Sequence, residues 1–361
     1  MNIIKATDAY EAWLAERMPL LAADLEYKHD RMAKDEFEFM RATFYRWVQL
    51  WARHCENLHD APELLSVGDL HTDNFGSWRD MEGRLVWGIN DFDEAYQLPY
   101  TFDLVRLATS AYMAATAAFG SVQMGSVCNA ILTGYREGLK FKGAPFVLAE
   151  EYGWLRDLMI EDLKEPKRFW EKLEAIPPIA DQVPDEVIAI IDSSLPRSGL
   201  QDRLGHRTAG LGSLGRRRYL ALTKLDNAFA AREAKELTAS ACLWAAQGQG
   251  SSAILYSEIL ANAVRSPDPF LVIRDRWVVR RLSPDYSRID LTQLSESGLD
   301  MILNAMGWET SNIHLGSGND RAKEIRKDLK DRDKDWLVTA AEAMHEATLD
   351  DFYDWQEHRS G

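Results

Sequence analysis

The chain has 361 residues, of which 57 are acidic and 42 basic, giving a formal net charge of −15 at pH 7. This length exceeds the size at which one hydrophobic core stops growing, so we expect two lobes or domains. The charge argues against a nucleic-acid-binding protein whose affinity rests on overall positive potential, although a local basic groove is compatible with it. A hydrophobic fraction of 46% with twelve tryptophans indicates a packed globular protein.

The cysteines and the hydropathy pattern predict a cytoplasmic protein. Cys55, Cys128 and Cys242 are far apart and odd in number, which matches neither a disulfide framework nor a CxxC metal knuckle. Charges interrupt every apolar stretch of residues 1–32, which predicts no signal peptide. The longest run of small apolar residues, around 107–120, is too short to span a bilayer. We therefore expect neither a membrane nor a nucleic acid as a partner, and the sequence leaves the oligomeric state open.

The first hundred residues change from helical to strand-like periodicity. Apolar residues recur at helical spacing over 10–25, and a second stripe over 37–51 predicts one long amphipathic helix. Short apolar runs at 64–67 and 85–89 predict two strands on either side of a polar, glycine-containing loop. Loops on rigid supports are where chemistry is usually found, so this arrangement is typical of a functional site.

The rest of the chain is helical at both ends, with strands between. A helical pattern runs from Thr101 to about Lys172, and four prolines within 176–200 mark the best candidate boundary. The pattern then predicts strands at 217–223, 270–273 and 277–282. An apolar stripe over 337–355 predicts a C-terminal helix, and the alternating charges of 323–335 predict a solvated helix or loop. The whole is an α+β pattern.

The strongest functional signal is the loop Gly68–Gly76 (GDLHTDNFG), followed after one hairpin by Ile89–Ala95 (INDFDEA). Phosphoryl transfer from a nucleotide needs a carboxylate near the attacking hydroxyl and oxygen ligands for magnesium. An aspartate, an asparagine five residues later and a further aspartate after a hairpin supply these groups. We therefore predict a catalytic pair, in which Asp69 acts as base or positioning group and His71 orients it or contacts substrate, and three metal ligands, Asn74, Asp91 and Asp93.

These two loops resemble the catalytic and metal loops of aminoglycoside phosphotransferases, choline kinases and, more distantly, protein kinases. The following segment, Tyr100–Ala108, is similar to the helix that comes next in those enzymes. The resemblance implies a structural role for Asp103 in supporting the catalytic loop. It also implies ATP and Mg²⁺ as cofactors.

A glycine-rich segment lies beyond the proline-containing boundary. Ala209–Arg216 (AGLGSLGR) precedes a predicted strand, which argues against a dinucleotide-binding fingerprint, where such glycines open a helix. Glycine-rich turns between strands instead lay backbone N–H groups over phosphates in kinases. A lysine follows downstream in KEL. The predicted cofactor-binding residues are Gly210, Gly212, Ser213, Gly215, Lys235 and Glu236.

Two assignments around this lysine are open from the sequence. Arg232 is an alternative to Lys235 as the phosphate-contacting cation, because REA precedes KEL. Glu236 and Glu258 are both candidates for the acidic partner of the lysine. Arg216–Arg218 could place one side chain toward phosphate, and alternation along a strand would turn the middle one away.

In ordinary kinases the glycine turn and the lysine precede the catalytic loop, whereas here they follow it. Either the glycine motif is accidental, or the chain is a circular permutation of the two-lobed kinase design, which is possible where the original termini lie close together at the surface. The whole chain is similar to the bacterial family called domain of unknown function 2252, through segments spread over about 30–315. They are DEFEFMR from Asp35, the GDLHTDNFG loop, INDFDEA with FDLVRLA, AGLGSLGRRRY, KELTAS from Lys235, RRLSPDYSRIDL ending at Leu291, and more weakly NIHL from Asn312.

The resemblance implies a two-lobed, helix-rich, protein-kinase-like α+β fold with permuted lobe order. We expect a helical lobe with the catalytic and metal loops at 1–199 and a small β-rich lobe covering the nucleotide at 200–285. Helices at 286–361 would pack back on the first lobe. Arg41 fits the family pattern, either as a phosphate or substrate contact or as a buried ion pair.

The leading hypothesis is an ATP- and Mg²⁺-dependent phosphotransferase acting on an unidentified, small hydroxyl acceptor. A metal-dependent hydrolase is an alternative, since several aspartates surround His71, but such enzymes usually need more histidine ligands. A catalytically silent nucleotide-binding module and a nucleotidyl-transferring variant are two further alternatives. Scattered aromatic residues do not assemble into an acceptor pocket from sequence alone.

Overall fold

A computed structural model describes residues 1–148, 151–160, 166–179, 183–195, 203–286, 289, 291 and 294–360. The helices of the described residues are α1 (Ile3–Ala15), α2 (Ala22–Met32), α3 (Glu36–Ala42), α4 (Phe44–His54), α5 (Tyr100–Phe119), α6 (Met124–Phe141), α7 (Gly153–Ile160), α8 (Pro166–Glu174), α9 (Asp185–Ser194), α10 (Ala241–Ala245), α11 (Tyr256–Asn262), α12 (Glu296–His314), α13 (Asn319–Asp331) and α14 (Trp336–Ser360). The strands are β1 (Glu63–Ser66), β2 (Phe75–Arg79), β3 (Leu85–Ile89), β4 (Tyr96–Pro99), β5 (Phe146–Val147), β6 (Arg203–His206), β7 (Arg218–Leu225), β8 (Ala228–Glu236), β9 (Val272–Arg274) and β10 (Trp277–Leu282). The predicted α+β class is confirmed.

Three antiparallel sheets are present among the described residues. A two-stranded sheet pairs β1 with β4, and a three-stranded sheet has the order β2-β3-β5. The largest sheet has five strands in the order β6-β7-β8-β10-β9. The proline-containing boundary at 176–200 lies partly outside the described residues, as does the segment 287–293.

The helical part has one main core. Helices α5, α6, α12 and α14 contribute most of its buried apolar side chains, together with β1 and β3. Helices α12 and α6 approach very closely, because a Cβ on Gly134 would lie 1.8 Å from the carbonyl oxygen of Asn304. Helices α8 and α9 cover opposite faces of the five-stranded sheet through two separate apolar clusters.

The predicted long helix over 37–51 is wrong, because the chain breaks between α3 and α4. Thr43 adopts a non-helical φ of −117° and ψ of 38°, and its hydroxyl donates to the Phe39 carbonyl at 2.7 Å. The Met40 carbonyl accepts from Arg106 at 3.0 Å. One local and one tertiary hydrogen bond thus take up carbonyls in the turn before Thr43.

The predicted strands are present at the predicted positions. The predicted strands at 64–67 and 85–89 correspond to β1 and β3, which lie in different sheets. A strand inside the predicted loop, β2, pairs with β3, and β1 pairs with β4. The strands predicted at 270–273 and 277–282 correspond to β9 and β10, which pair with each other. The predicted C-terminal helix is present, and 319–331 is helical.

Candidate functional site

The β2–β3 hairpin joins the two loops that carry the predicted catalytic and metal-binding residues. At its open end the backbone N–H of Asn90 donates to the carbonyl of Asn74 at 3.0 Å. Asn74 and Asp91 therefore lie at the same end of the hairpin. The Asn74 side chain accepts from the backbone N–H of His71 at 2.6 Å, which fixes the turn between Asp69 and the hairpin.

Asp103, near the start of α5, supports the catalytic loop directly. Its carboxylate accepts the backbone N–H groups of Val67 at 2.8 Å and Gly68 at 2.9 Å. His314 Nε2 lies 3.1 Å from the same carboxylate, and both side chains are fully buried. Gly68 has a φ of +80°, and a Cβ there would lie 2.3 Å from the carbonyl oxygen of Glu94, so this close approach of the two loops requires glycine.

Arg106, also on α5, binds Asp69. Its Nε donates to Asp69 Oδ1 at 3.1 Å, and a second N–H of the same guanidinium donates to the same oxygen. The guanidinium is fully buried, donates further to the Met40 carbonyl, and lies against the rings of Phe44 and Trp47. Burial raises the pKa of Asp69, and the positive charge of Arg106 opposes that rise.

Lys235 reaches the metal-loop aspartates from β8. Its Nζ lies 3.1 Å from Asp91 Oδ1 and 2.7 Å from Asp93 Oδ2, and the lysine side chain is almost completely buried. The Asp93 Oδ1 atom is buried without a hydrogen-bond partner among the described residues. A buried carboxylate oxygen with no donor is an open position for a cation.

The two aspartates have opposite pKa shifts. Burial, followed by the neighbouring Asp91 carboxylate, raises the pKa of Asp93 despite the attraction of Lys235. Burial would also raise the pKa of Asp91, but the charges of Lys235 and Arg280 overcome it and hold this pKa well below its usual range. Asp91 is therefore the permanently ionised member of the pair.

The glycine-rich turn between β6 and β7 covers the catalytic loop. Gly210 has a φ of +75°, which favours glycine. A Cβ on Gly212 would lie 3.0 Å from the carbonyl oxygen of Arg41 and 3.5 Å from Asp69 Oδ2, so this glycine lets the turn approach the catalytic carboxylate. The Ser213 hydroxyl accepts from Arg218 at 2.7 Å.

Four residues from the predictions do not face the cleft. Gly215 lies against α2, where a Cβ would be 2.4 Å from Leu25. Glu236 pairs with Arg217 at 2.6 Å and 2.8 Å instead of with Lys235, because successive side chains of a strand point to opposite faces. Arg232 shares the face of Glu236 and donates to a carbonyl of α9, and Glu258 is exposed on α11. The acidic partners of Lys235 are thus the metal-loop aspartates.

The three consecutive arginines alternate as predicted. Arg216 lines the cleft and donates to Glu94 at 3.0 Å, with Asp93 4.0 Å away. Arg217 turns to the other side, toward Glu236. Arg218 returns to the cleft side and binds Ser213.

Arg41 and His71 both line the cleft. Arg41 forms an ion pair with Asp73 at 2.9 Å, and its Nε is buried without a hydrogen-bond partner among the described residues. The carbonyl of the same residue contacts the glycine turn. Arg41 thus combines the two expected features, an ion pair and a position at the cleft. His71 is buried beside the catalytic loop.

The cleft between these loops is small. Its volume is about 80 Å³, and its lining includes the catalytic and metal loops, the glycine turn, Arg216 and Arg280. Ligand sites for drug-sized molecules usually measure about 300–1,000 Å³. In this conformation the cleft accommodates a phosphate-sized group, and a whole nucleotide requires the glycine turn or a neighbouring element to move.

Helix α8 covers the apolar end of the sheet face from which Lys235 projects. The register pairs Arg218 with Lys235 and Leu222 with Ala231, so these four side chains share one face. Leu173 of α8 is buried in one cluster with Leu222 and Ala231. The polar end of this face therefore meets the cleft, and its apolar end is covered by α8.

The residues that sequence reasoning missed are charged or aromatic partners of predicted ones. They are Arg106, Arg280, Glu94 and Tyr10, whose hydroxyl accepts from Arg216 at 3.3 Å. Arg106, Glu94 and Arg280 lie within the segments FDLVRLA, INDFDEA and RRLSPDYSRIDL, so a motif signal was present. Nothing in the sequence indicated Tyr10.

A metal ion in the cleft would be held by a mixed set of side-chain oxygens and not by a cluster of carboxylates. Within the described ranges, no three His, Cys, Asp or Glu side chains are grouped as a metal site. Asn74, Asp91 and Asp93 form a smaller set of oxygen donors, and Asp93 Oδ1 is buried and open. Such a set fits Mg²⁺, which commonly takes one or two carboxylates and completes its shell with water and substrate phosphates.

Comparisons with known proteins give one family. No helix of the described residues is long and apolar enough to cross a membrane. Neither curated proteins nor solved structures yield a match. One family model, described as "Uncharacterized protein conserved in bacteria (DUF2252)", matches residues 20–162 and 174–359. Because this match covers most of the chain, the protein belongs to the DUF2252 family.

Proposed function

We propose that this protein is an ATP- and Mg²⁺-dependent phosphotransferase with a kinase-like, circularly permuted arrangement. The observation that carries the proposal is the meeting of Asp69, Asn74 and Asp91 with Lys235. The first three come from loops joined by one hairpin, and Lys235 reaches Asp91 from a separate sheet. This combination of base, metal ligands and phosphate-binding lysine is the set that kinases use.

The order of elements in the five-stranded sheet gives independent support. The glycine turn lies between the first and second strands of this sheet in chain order, β6 and β7, and Lys235 lies on the third, β8. Protein kinases place a glycine-rich loop over the phosphates and the lysine on the third strand of their sheet. Here the sheet follows the catalytic loop, which supports a permuted order.

The proposed roles follow from the contacts. Asp69 Oδ1 is held by Arg106, so Oδ2 is the oxygen that accepts the proton of the acceptor hydroxyl. The acceptor oxygen forms a bond to the γ-phosphorus, the bond to the β–γ bridging oxygen breaks, and ADP leaves with that electron pair. Mg²⁺, when bound by Asn74, Asp91 and Asp93, supplies charge neutralisation at the phosphates.

The proposal gives Lys235 two alternative sets of partners, which are the metal-loop carboxylates and the phosphates of the nucleotide. In the described conformation it neutralises Asp91 and Asp93. With a magnesium ion held by those carboxylates, the lysine ammonium would be free to bind a phosphate oxygen. The ion pairs therefore keep the carboxylates compensated without ligand, since an uncompensated buried charge is costly.

The alternatives have less support. A hydrolase with a metal held by protein side chains alone is disfavoured, because His71 has no second histidine beside it in the cleft. A silent nucleotide-binding module is favoured by one observation, the small volume of the cleft. Binding without turnover would identify it.

The test is incubation with Mg²⁺ and ATP labelled on the γ-phosphate, alone and with a metabolite extract. We expect label on a small acceptor or, without acceptor, release of labelled phosphate. Asp91→Asn should abolish transfer, and Asp350→Asn, an exposed carboxylate on α14, is the matched control. Full activity of Asp91→Asn would overturn the role assignment. Transfer of label from the α-phosphate would instead identify nucleotidyl transfer.

A further inference from the structure

A groove between α6 and α13 carries a concentration of positive charge that the cleft does not use. Its volume is about 840 Å³, and the buried Leu329 lies at its floor. We call it the basic groove. Its cationic side chains are Arg136, Lys140, Lys323, Arg326, Lys327 and Lys330.

The cations of the basic groove lack carboxylate partners, with one exception. Lys323 pairs with Asp320 at 2.7 Å. Arg326 donates weakly to the carbonyl of Leu139, and the other four form no ion pair with any described residue. In a chain with fifteen more acidic than basic residues, such a set of unpaired cations is unexpected.

Two of the four carboxylates of α13 bond to residues outside the basic groove. Glu324 pairs with Arg321, and Asp328 binds Arg332 and the hydroxyl of Tyr100. The lysines at 323, 327 and 330 recur at helical spacing, so they share one face. Of these three lysines, Lys323 alone has a carboxylate partner among the described residues, Asp320.

The size of the patch limits what it can bind. Eight residues of helix, from 323 to 330, span about 10 Å. A long polyanion, such as duplex DNA, would extend beyond this length and meet the rest of a chain whose net charge is −15. A compact anion with several charges would stay within the groove, and the lysine stems and Leu329 would pack against its less polar parts.

We propose that the basic groove binds a compact, multiply charged phosphate compound, at a site that shares no residue with the catalytic cleft. Each phosphate group would accept charge-assisted hydrogen bonds from lysine and arginine side chains on both helices. Binding does not depend on the proposed phosphotransfer, so either can fail alone.

The test is calorimetric titration of the full chain with inorganic tripolyphosphate in magnesium-free buffer. The groove variant combines Lys140→Gln, Lys327→Gln and Lys330→Gln, and the charge-matched control combines Lys5→Gln, Lys34→Gln and Lys167→Gln. A third protein, Lys235→Gln, reports on binding in the catalytic cleft. Thermal melting of each protein shows that it is folded.

We expect the groove variant to bind at least about tenfold more weakly than the unmodified protein, since it loses several charge-assisted contacts. The control and Lys235→Gln should bind within about twofold of it. Equal binding by the groove variant would overturn the proposal, as would loss of binding in Lys235→Gln alone. Groove-dependent binding of duplex DNA or an acidic peptide, but not of tripolyphosphate, would also overturn it by assigning another partner class.

Discussion

The guanidinium of Arg106 donates two hydrogen bonds to a single carboxylate oxygen of Asp69 and leaves the other oxygen facing the glycine turn. The arginine is fully buried, whereas the aspartate side chain is partly exposed to the cleft. This contact orients one oxygen of the proposed base and opposes the effect of burial on its pKa. Arg106 is thus a positioning residue for the proposed reaction.

Arg106→Lys should move the acidic limb of the pH–activity profile to higher pH. Burial alone raises the pKa of Asp69, and the shorter lysine loses the double contact that lowers it. Because Asp69 acts in its ionised form, a higher pKa of Asp69 means that activity appears only at higher pH. The measurement is kcat as a function of pH.

The matched control is Arg46→Lys, which weakens another buried arginine–aspartate pair, with Asp351 at 2.6 Å. Both variants should lose stability, by up to about 3–5 kcal/mol if the pair breaks completely. Only the Arg106 variant should change the pH profile. The same shift in both would show that Arg106 acts through general stability.

Lys235→Met should destabilise the ligand-free protein, and magnesium should restore part of the loss. Removing the lysine leaves Asp91 and Asp93 without their cation, which costs on the order of 3–5 kcal/mol when it uncovers a buried charge. A metal ion at those carboxylates would replace the lost charge. The measurement is Tm with and without Mg²⁺, and Lys34→Met is the exposed control. A magnesium effect of equal size in both variants would contradict the prediction.

The catalytic and metal loops were predictable because their residues are close in sequence. Asn74 and Asp91 are separated by one short hairpin, so their spacing alone indicates that they meet. The partner of Lys235 was not predictable, because strand alternation and the packing of the sheet on the loops decide whether an aspartate or Glu236 lies beside it. Long-range contacts of this kind leave no local pattern.

The helix predictions failed where tertiary contacts override periodicity. The apolar stripe over 37–51 continues across Thr43, but hydrogen bonds from Thr43 and Arg106 take carbonyls of the turn before it. The packing of α8 on the sheet could not be predicted either, because Leu173 belongs to an ordinary amphipathic pattern. The surface that buries Leu173 lies on the sheet, which is distant in sequence.

Leu173→Ala should increase nucleotide affinity while lowering stability. If the nucleobase of ATP binds at the apolar end of the sheet face that carries Lys235, α8 must move away from that end. Weaker packing of α8 on the sheet then raises the fraction of protein molecules that can bind the nucleotide. Stability should fall by about 2–5 kcal/mol, as for other buried leucines replaced by alanine. The measurement is the Kd for a non-hydrolysable ATP analogue.

Ile190→Ala on α9 is the control, because it removes a buried side chain from the opposite face of the sheet. It should lower stability without changing the Kd. Equal affinities of the Leu173 variant and the unmodified protein would show that the base binds elsewhere.

Glu309→Gln should make the protein relatively more stable at high pH. Burial raises the pKa of Glu309 to about 7, although its carboxylate accepts from Asn312 and from the backbone of Ile89. An unfolded glutamate has a pKa of about 4.3, so the contribution of Glu309 is greatest below that pH and is lost as pH rises through 7. Glutamine does not titrate, so the variant does not lose this contribution to stability as the pH rises.

The measurement is Tm between pH 5 and pH 8 for both proteins. We expect the difference in Tm to grow in favour of glutamine from pH 5 to about pH 7 and to level off above it, where Glu309 is ionised in both the folded and the unfolded chain. A difference that is constant over this range would show that Glu309 does not titrate with folding. Exposed Glu137→Gln is the control.

The central claim is that the cleft holds a magnesium nucleotide between Asp91 and Lys235. Its most direct test is calorimetric titration with a non-hydrolysable ATP analogue, with and without Mg²⁺, for the unmodified protein, Asp91→Asn and Asp350→Asn. The account predicts binding that magnesium strengthens in the unmodified protein and in Asp350→Asn, and no magnesium effect in Asp91→Asn. Absence of binding by the unmodified protein, or an undiminished magnesium effect in Asp91→Asn, would contradict it.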